Sequence, residues 1–255
     1  MPLEILTIPC LSDNYAFLAH DAESGETALI DAPEAAPILA ALAERGWRLT
    51  QVLLTHHHWD HVEGLAEILA AHPAKVTGAA ADAHRLPPLD RQVSEGDSVR
   101  IGEDVGTVID VSGHTLGHIA YYFPASHAVF TADSLMALGC GRVFEGTMPM
   151  MWASLSKLAA LPPETVVYSG HEYTQANGRF AETVDPGNPA LQARLRDIAA
   201  ARAAGRPTVP STLALELATN PFLRADDPDI RATLGMADAP AAEVFAEIRG
   251  RKDRF

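Results

Sequence analysis

The sequence predicts an α/β or α+β layered domain followed by a small helical one, on three observations. Short apolar runs alternate with amphipathic helical patterns through the first two-thirds of the chain. Near Tyr173 the alternation stops, and Ala, Leu and Arg take over with little strand-like patterning. Four of the apolar runs also end on a histidine or an aspartate. A chain of 255 residues that is 47% hydrophobic suits one large or two modest domains.

In chain order, the expected strands are 4–8, 15–19, 27–31, 51–54, 75–77, 107–111, 119–123, 128–131 and 165–169. Helices are expected over 35–45, 61–71 and 152–160, with Gly25, Gly46, Gly96, Gly102, Pro124 and Pro162-Pro163 marking turns. Beyond residue 173, helical patches fall at 188–204, 212–217 and 241–249. The first opens on Asn188-Pro189, a cap residue followed by proline at the first helical position. These patterns set the domain boundary at 1–173 and 174–255.

The bulk composition narrows the function classes. Two cysteines, Cys10 and Cys140, are too few for a disulfide framework and point to a reducing cytoplasm. The N-terminus lacks a basic leader, and no apolar run approaches the length of a membrane span. A net charge of −14 argues against general nucleic-acid binding, and an anionic substrate would need a local basic patch. The expected partner is therefore a small molecule, with no nucleic acid and no membrane, and the expected state is a monomer.

The richest stretch is Thr-His-His-His-Trp-Asp-His at 55–61. His56 and His58 are two apart, so on extended backbone their imidazoles share a side, while His57 faces away as a non-ligand. Asp60 and His61 begin the helical pattern that follows. A single histidine is usually a surface or hydrogen-bonded core residue. Four ligand types in six positions are different, because buried imidazoles and carboxylates are costly to desolvate without partners. His114, Asp133 and His171 stand at the ends of three later strands.

Seven ligands exceed the four that one zinc ion typically takes. They suit two divalent ions: His56, His58 and His114 on one, Asp60, His61 and His171 on the other, and Asp133 between them. Such a pair shares a water, lowers its pKa and polarises the carbonyl under attack. Asp60 would orient that water, so Asp60 and Asp133 are the candidate catalytic carboxylates. Without a thiolate in the set, zinc, iron and manganese all fit.

The run His56-x-His58-x-Asp60-His61, with His114, Asp133 and His171 following in order, resembles the metallo-β-lactamase superfamily. That resemblance implies a four-layer αββα sandwich with a binuclear centre at one edge, zinc being the first choice. It is specific for fold and metal and weak for substrate. Other segments are similar to the glyoxalase II (hydroxyacylglutathione hydrolase) family. They are Leu-Gly-Cys-Gly-Arg-Val-Phe-Glu-Gly at 138–146, Gly-His-Glu-Tyr-Thr at 170–174, Asn-Pro-Ala-Leu-Gln at 188–192, Pro-Thr-Val-Pro-Ser-Thr at 207–212, Thr-Asn-Pro-Phe at 219–222 and Arg-Gly-Arg-Lys-Asp at 249–253. This resemblance runs from Leu3 to Phe255. It implies hydrolysis of S-D-lactoylglutathione to D-lactate and glutathione through a metal-bridged hydroxide, as a step of methylglyoxal detoxification.

The last seven residues hold Arg249, Arg251, Lys252 and Arg254 against Asp253. Read from the residues alone, they are either a helix end whose cations suit the C-terminal dipole or a patch for an anion. The family resemblance implies that Arg249 and Lys252 meet the glycine carboxylate of glutathione, with Arg142, Phe144 and Tyr173 lining the same groove. Three positions depart from the family pattern: Arg142 stands for Lys, Phe144 for Tyr and Ala132 for Gly. Cys140 is read as a small packing residue. The rival readings are a glutathione persulfide dioxygenase with a mononuclear iron site, a β-lactamase, and a metal-containing binding module.

Overall fold

The computed structural model describes all residues from Met1 to Phe255 and divides into two compact units. One comprises Met1–Asp110 with Thr115–Thr131, the other Val111–His114 with Ala132–Phe255. The composition boundary after Tyr173 falls inside the second unit.

The first unit contains β1 (Glu4–Cys10), β2 (Asn14–His20), β3 (Thr27–Ile30), α1 (Ala35–Arg45), β4 (Leu49–Leu53), α2 (Trp59–Val62), α3 (Leu65–Ala71), β5 (Lys75–Ala79), β6 (Arg91–Val93), β7 (Ser98–Ile101), β8 (Asp104–Asp110), β9 (Ile119–Phe123) and β10 (Ala128–Ala132). Strands β1 to β6 form a sheet in sequence order, antiparallel from β1 to β3 and parallel from β3 to β6. Strands β7 to β10 form an antiparallel meander.

Strand β2 is buried on both faces, as a strand between two layers must be. Its Ala16 and Leu18 pack with Ile38 and Leu42 of α1 and Leu65 and Ile68 of α3. Its Phe17 faces the other way, 5.7 Å from the Phe130 ring of β10. Helices, first sheet and meander thus stack as three layers around fully buried side chains.

Strand β9 and helix α1 keep the expected limits. The expected helix 61–71 is two pieces, starting earlier at Trp59 and broken at Glu63-Gly64. The break has a local cause. The Gly64 N–H donates to the Ala32 carbonyl at 2.9 Å, and the Ala32 N–H donates to the His61 carbonyl at 2.8 Å. These bonds pin the four-residue helix against the turn after β3 and fix Asp60 and His61 in its first turn.

The second unit holds the hairpin β11 (Leu135–Met136) and β12 (Gly139–Cys140), then α4 (Met148–Ala159), β13 (Val166–Ser169), α5 (Thr174–Val184), α6 (Pro189–Ala203), β14 (Ser211–Thr212), α7 (Leu213–Thr219), α8 (Pro228–Leu234) and α9 (Ala241–Asp253). Capping sets several of these starts. Asn188 Oδ1 accepts the N–H groups of Ala190 and Leu191, with Pro189 following it. Thr147 caps α4 and Asp227 caps α8 in the same way. No helix is long and apolar enough to cross a membrane.

Candidate metal centre

In the first unit His56 and His58 lie in residues 54–58, between the end of β4 and the start of α2, and Asp60 and His61 lie in α2. His56 and His61 are fully buried, while His58 and Asp60 are partly exposed. The His58 and His61 ring centroids lie 4.8 and 4.2 Å from that of His56. Asp60 is steadied by the Asn14 side-chain amide, which donates to its Oδ2 at 3.1 Å and to its carbonyl at 3.0 Å. His57 Nδ1 lies 3.0 Å from Asp82 Oδ2, and its ring centroid lies 5.0 Å from that of His58.

Asp31, the residue just past β3, organises this half. Its Oδ1 accepts the Thr55 N–H at 2.8 Å, and its Oδ2 accepts the Thr55 hydroxyl at 2.8 Å. The same Oδ2 accepts Nδ1–H of His61 at 2.8 Å. Since the single Thr55 proton is committed to Asp31, the Thr55 oxygen accepts Nδ1–H of His56, 3.0 Å away. Both imidazoles therefore carry their proton on Nδ1 and present Nε2 as a lone-pair donor. Metal-ligating histidines have this arrangement, the outer nitrogen being oriented by a carboxylate or carbonyl. Sequence reasoning took Asp31 only as a strand residue. Its signal was there, for it ends an apolar strand as the ligands do.

The second unit holds His114, Asp133 and His171. The Arg142 carbonyl, which can only accept, takes Nδ1–H of His114 at 2.7 Å and leaves Nε2 as lone-pair donor. That Nε2 lies 3.4 Å from Asp133 Oδ2, and Nε2 of His171 lies 3.3 Å from the same oxygen. A lone pair on His114 aimed at a carboxylate oxygen calls for a cation at that point. The donors are imidazole nitrogen and carboxylate oxygen throughout, which fits a divalent ion of the zinc, iron or manganese class. Cys140 stays outside the set, and burial pushes its thiol up to about 11. Gly141 keeps the cradle open, since a Cβ there would fall 1.9 Å from the Asp133 carbonyl oxygen. Ala132, where the family pattern has Gly, stands at φ 41°, in the left-handed region that disfavours a Cβ by roughly 1–2 kcal/mol.

The candidate substrate residues also lie in this unit. Phe144 is 59% exposed, its ring 5.3 Å from that of His114, and the Arg142 guanidinium lies 5.8 Å from the Phe144 ring. The Tyr173 ring stacks on His171 at 4.6 Å. The Lys252 ammonium donates to the Ala176 carbonyl at 3.3 Å and lies 5.3 and 5.2 Å from the rings of Phe180 and Phe255. Burial first, then the Arg249 and Arg179 charges, lower its pKa to about 8.

Arg249, expected to meet a substrate carboxylate, is 5% exposed. Its guanidinium donates to the Cys140 carbonyl at 2.8 Å and to Asp253 at 3.0 Å, and lies 5.2 Å from the Phe222 ring. Asp253 Oδ1 also accepts from Arg142 Nε at 3.2 Å, so one acid ties both arginines together. Sequence reasoning missed this clamp, because it joins residues more than a hundred positions apart.

Comparison with known proteins places this geometry in a family. Residues 14–171 match the metallo-beta-lactamase superfamily, and residues 172–255 match the hydroxyacylglutathione hydrolase C-terminus. A hydroxyacylglutathione hydrolase of Roseobacter denitrificans is 68% identical over the full length of both chains, and one of Cereibacter sphaeroides is 67% identical over the same span. Among solved structures, ETHE1 from Myxococcus xanthus is 26% identical, with 99% of this chain and 98% of that chain covered and a TM-score of 0.65. The BLEG-1 B3 metallo-beta-lactamase, at 20% identity and a TM-score of 0.68 over 86% of this chain and 99% of that one, shares the fold. With mixed sheets, a helical C-terminal region and full-length relatives at such identity, the chain belongs to the hydroxyacylglutathione hydrolase family of the metallo-beta-lactamase superfamily.

Proposed function

We propose that this chain hydrolyses S-D-lactoylglutathione and related 2-hydroxyacylglutathiones to the 2-hydroxy acid and glutathione. Residues 1–173 serve as the catalytic part and residues 174–255 as the helical substrate-binding part. In this reading the enzyme is a cytoplasmic monomer that completes methylglyoxal detoxification. The single observation that carries it is the convergence of His114 and His171 Nε2 on one oxygen of Asp133. Relatives 67–68% identical over the whole length carry the hydrolase name, which supports the thioester over the persulfide alternative.

His56, His58 and His114, together with Asp60, His61, His171 and Asp133, would hold two divalent ions, zinc by preference. When bound, they supply a water of lowered pKa and positive charge for a developing oxyanion. The chain's own residues do the rest. Asp60, held through Asn14, orients the attacking water. Arg142, Lys252 and Tyr173 receive the glutathione moiety, and Phe144 offers an apolar wall beside His114. Arg249, which also donates to the Cys140 carbonyl, meets the glycine carboxylate of glutathione with Lys252. The leaving thiolate has a free pKa around ~8.5 and needs no strong general acid.

The test pairs elemental analysis with two assays. Loss of thioester absorbance with lactoylglutathione and no oxygen uptake with glutathione persulfide is the expected outcome. Oxygen consumption with a single iron per chain would establish the dioxygenase instead.

A further inference from the structure

Residues 54–58 present His56 and His58 from a stretch with no regular secondary structure, between β4 and α2. Few backbone bonds define it. The Leu54 N–H donates to the Thr77 carbonyl, the Thr55 carbonyl accepts from the Ile119 N–H, and the His58 carbonyl accepts from the His61 N–H. Its remaining order must come from side chains. Thr55 and His57 flank the two candidate ligands, the His57 ring centroid lying 5.0 Å from that of His58. Thr55 is anchored on Asp31.

His57 is anchored on Asp82, at the end of the 3-10 turn Ala80–Asp82. Only 1% of Asp82 is exposed, and its other oxygen accepts from Nε and Nη2 of Arg85. The same carboxylate fills the space over Gly117, where a Cβ would fall 2.3 Å from Asp82 Cγ. Gly117 immediately precedes His118, a fully buried residue whose ring stacks on His56 at 4.6 Å. One carboxylate thus braces the ligand segment twice, through the ring between the two ligands and through the turn that stacks on the first of them.

We propose that Asp82, acting through His57 and the Gly117 turn, is a positioning residue that sets the direction of the His56 and His58 nitrogens. It touches neither substrate nor metal. The inference rests on the proposed reading of His56 and His58 as metal ligands. Partners that orient ligands from outside typically change metal affinity or activity by 10–100-fold when removed, whereas a residue that only supports the fold changes stability.

The test measures zinc affinity by chelator competition and the visible spectrum of the cobalt-substituted protein. The variants are Asp82→Ala, His57→Phe, His57→Asn and Arg85→Met. His57→Phe keeps the ring volume and leaves Arg85 paired, so it reports on positioning even if Asp82→Ala folds poorly. His57→Phe and Asp82→Ala are expected to weaken zinc binding by about tenfold or more, to alter the cobalt spectrum, and to lower kcat in the zinc-saturated enzyme more than they change KM. His57→Asn, which keeps an N–H donor near Nδ1, should recover most of the affinity. Arg85→Met should lower thermal stability without a comparable loss of affinity. A His57→Phe protein with wild-type zinc affinity and cobalt spectrum would overturn the proposal while leaving the ligand assignment intact. Wild-type protein that takes up no metal would overturn the ligand assignment and, with it, this role.

Discussion

Four aspartates act differently around the candidate centre because their surroundings differ. Asp31 and Asp82 are buried and engage the outer sides of motif residues, Asp60 is tethered by an amide, and Asp133 faces two imidazole nitrogens. Asp133→Ala should lower metal content and thioester turnover together; a variant that keeps both ions and full activity would exclude the bridging role. Asp31→Ala removes the acceptor that sets the His61 tautomer and should weaken metal binding by about 10–100-fold in chelator competition. Lys252 gives a pH prediction. With a pKa lowered to about 8, its ammonium is charged below that pH and neutral above it. KM for an anionic glutathione thioester should therefore rise as pH increases through about 8. In Lys252→Met, KM should already be high at neutral pH and flat across that range. A wild-type KM that stays constant from pH 7 to 9 would remove Lys252 from the binding groove.

At the scale of elements, the C-terminal helices hold the loop that carries the candidate substrate residues Arg142 and Phe144. Glu216 on α7 is fully buried and accepts from Arg194 on α6, from the Ser211 hydroxyl, from Asn220 and from the Leu138 N–H of the β11–β12 hairpin. The Asn220 amide also donates to the carbonyls of Met136 and Gly139, and Asn177 donates to that of Ala137. Glu216→Ala leaves Arg194 buried without its acid and should destabilise the protein by roughly 3–5 kcal/mol in chemical denaturation. The surviving folded protein should show a raised KM, since the hairpin leads directly into Arg142 and Phe144. This network was illegible in the sequence because its members lie up to 84 positions apart. Helix α5 was missed for a related reason. Its inward face carries Phe180, Ala181 and Val184, but Asn177 and Gly178 interrupt that face, where the small glycine meets Leu195 and the asparagine reaches the hairpin. Strands β6 and β7 are three and four residues long, too short for an alternation to register.

Across the whole molecule, the legible features were those written in local chemistry. The strand-end pattern singled out His56, His114, Asp133 and His171 as candidate ligands, because each is polar where the strand residues before it are apolar. The charge of −14 and the basic C-terminus pointed to a confined cationic site, but not to its wiring. Asp253 engages both Arg142 and Arg249, a pairing that only the folded chain reveals. The central claim is that these side chains hold divalent ions on which thioester cleavage depends. The most direct test measures metal by elemental analysis before and after chelation, following lactoylglutathione hydrolysis on the same samples. The account predicts two divalent ions per chain, with activity lost on their removal and restored by added zinc. Undiminished hydrolysis by metal-free protein would contradict it.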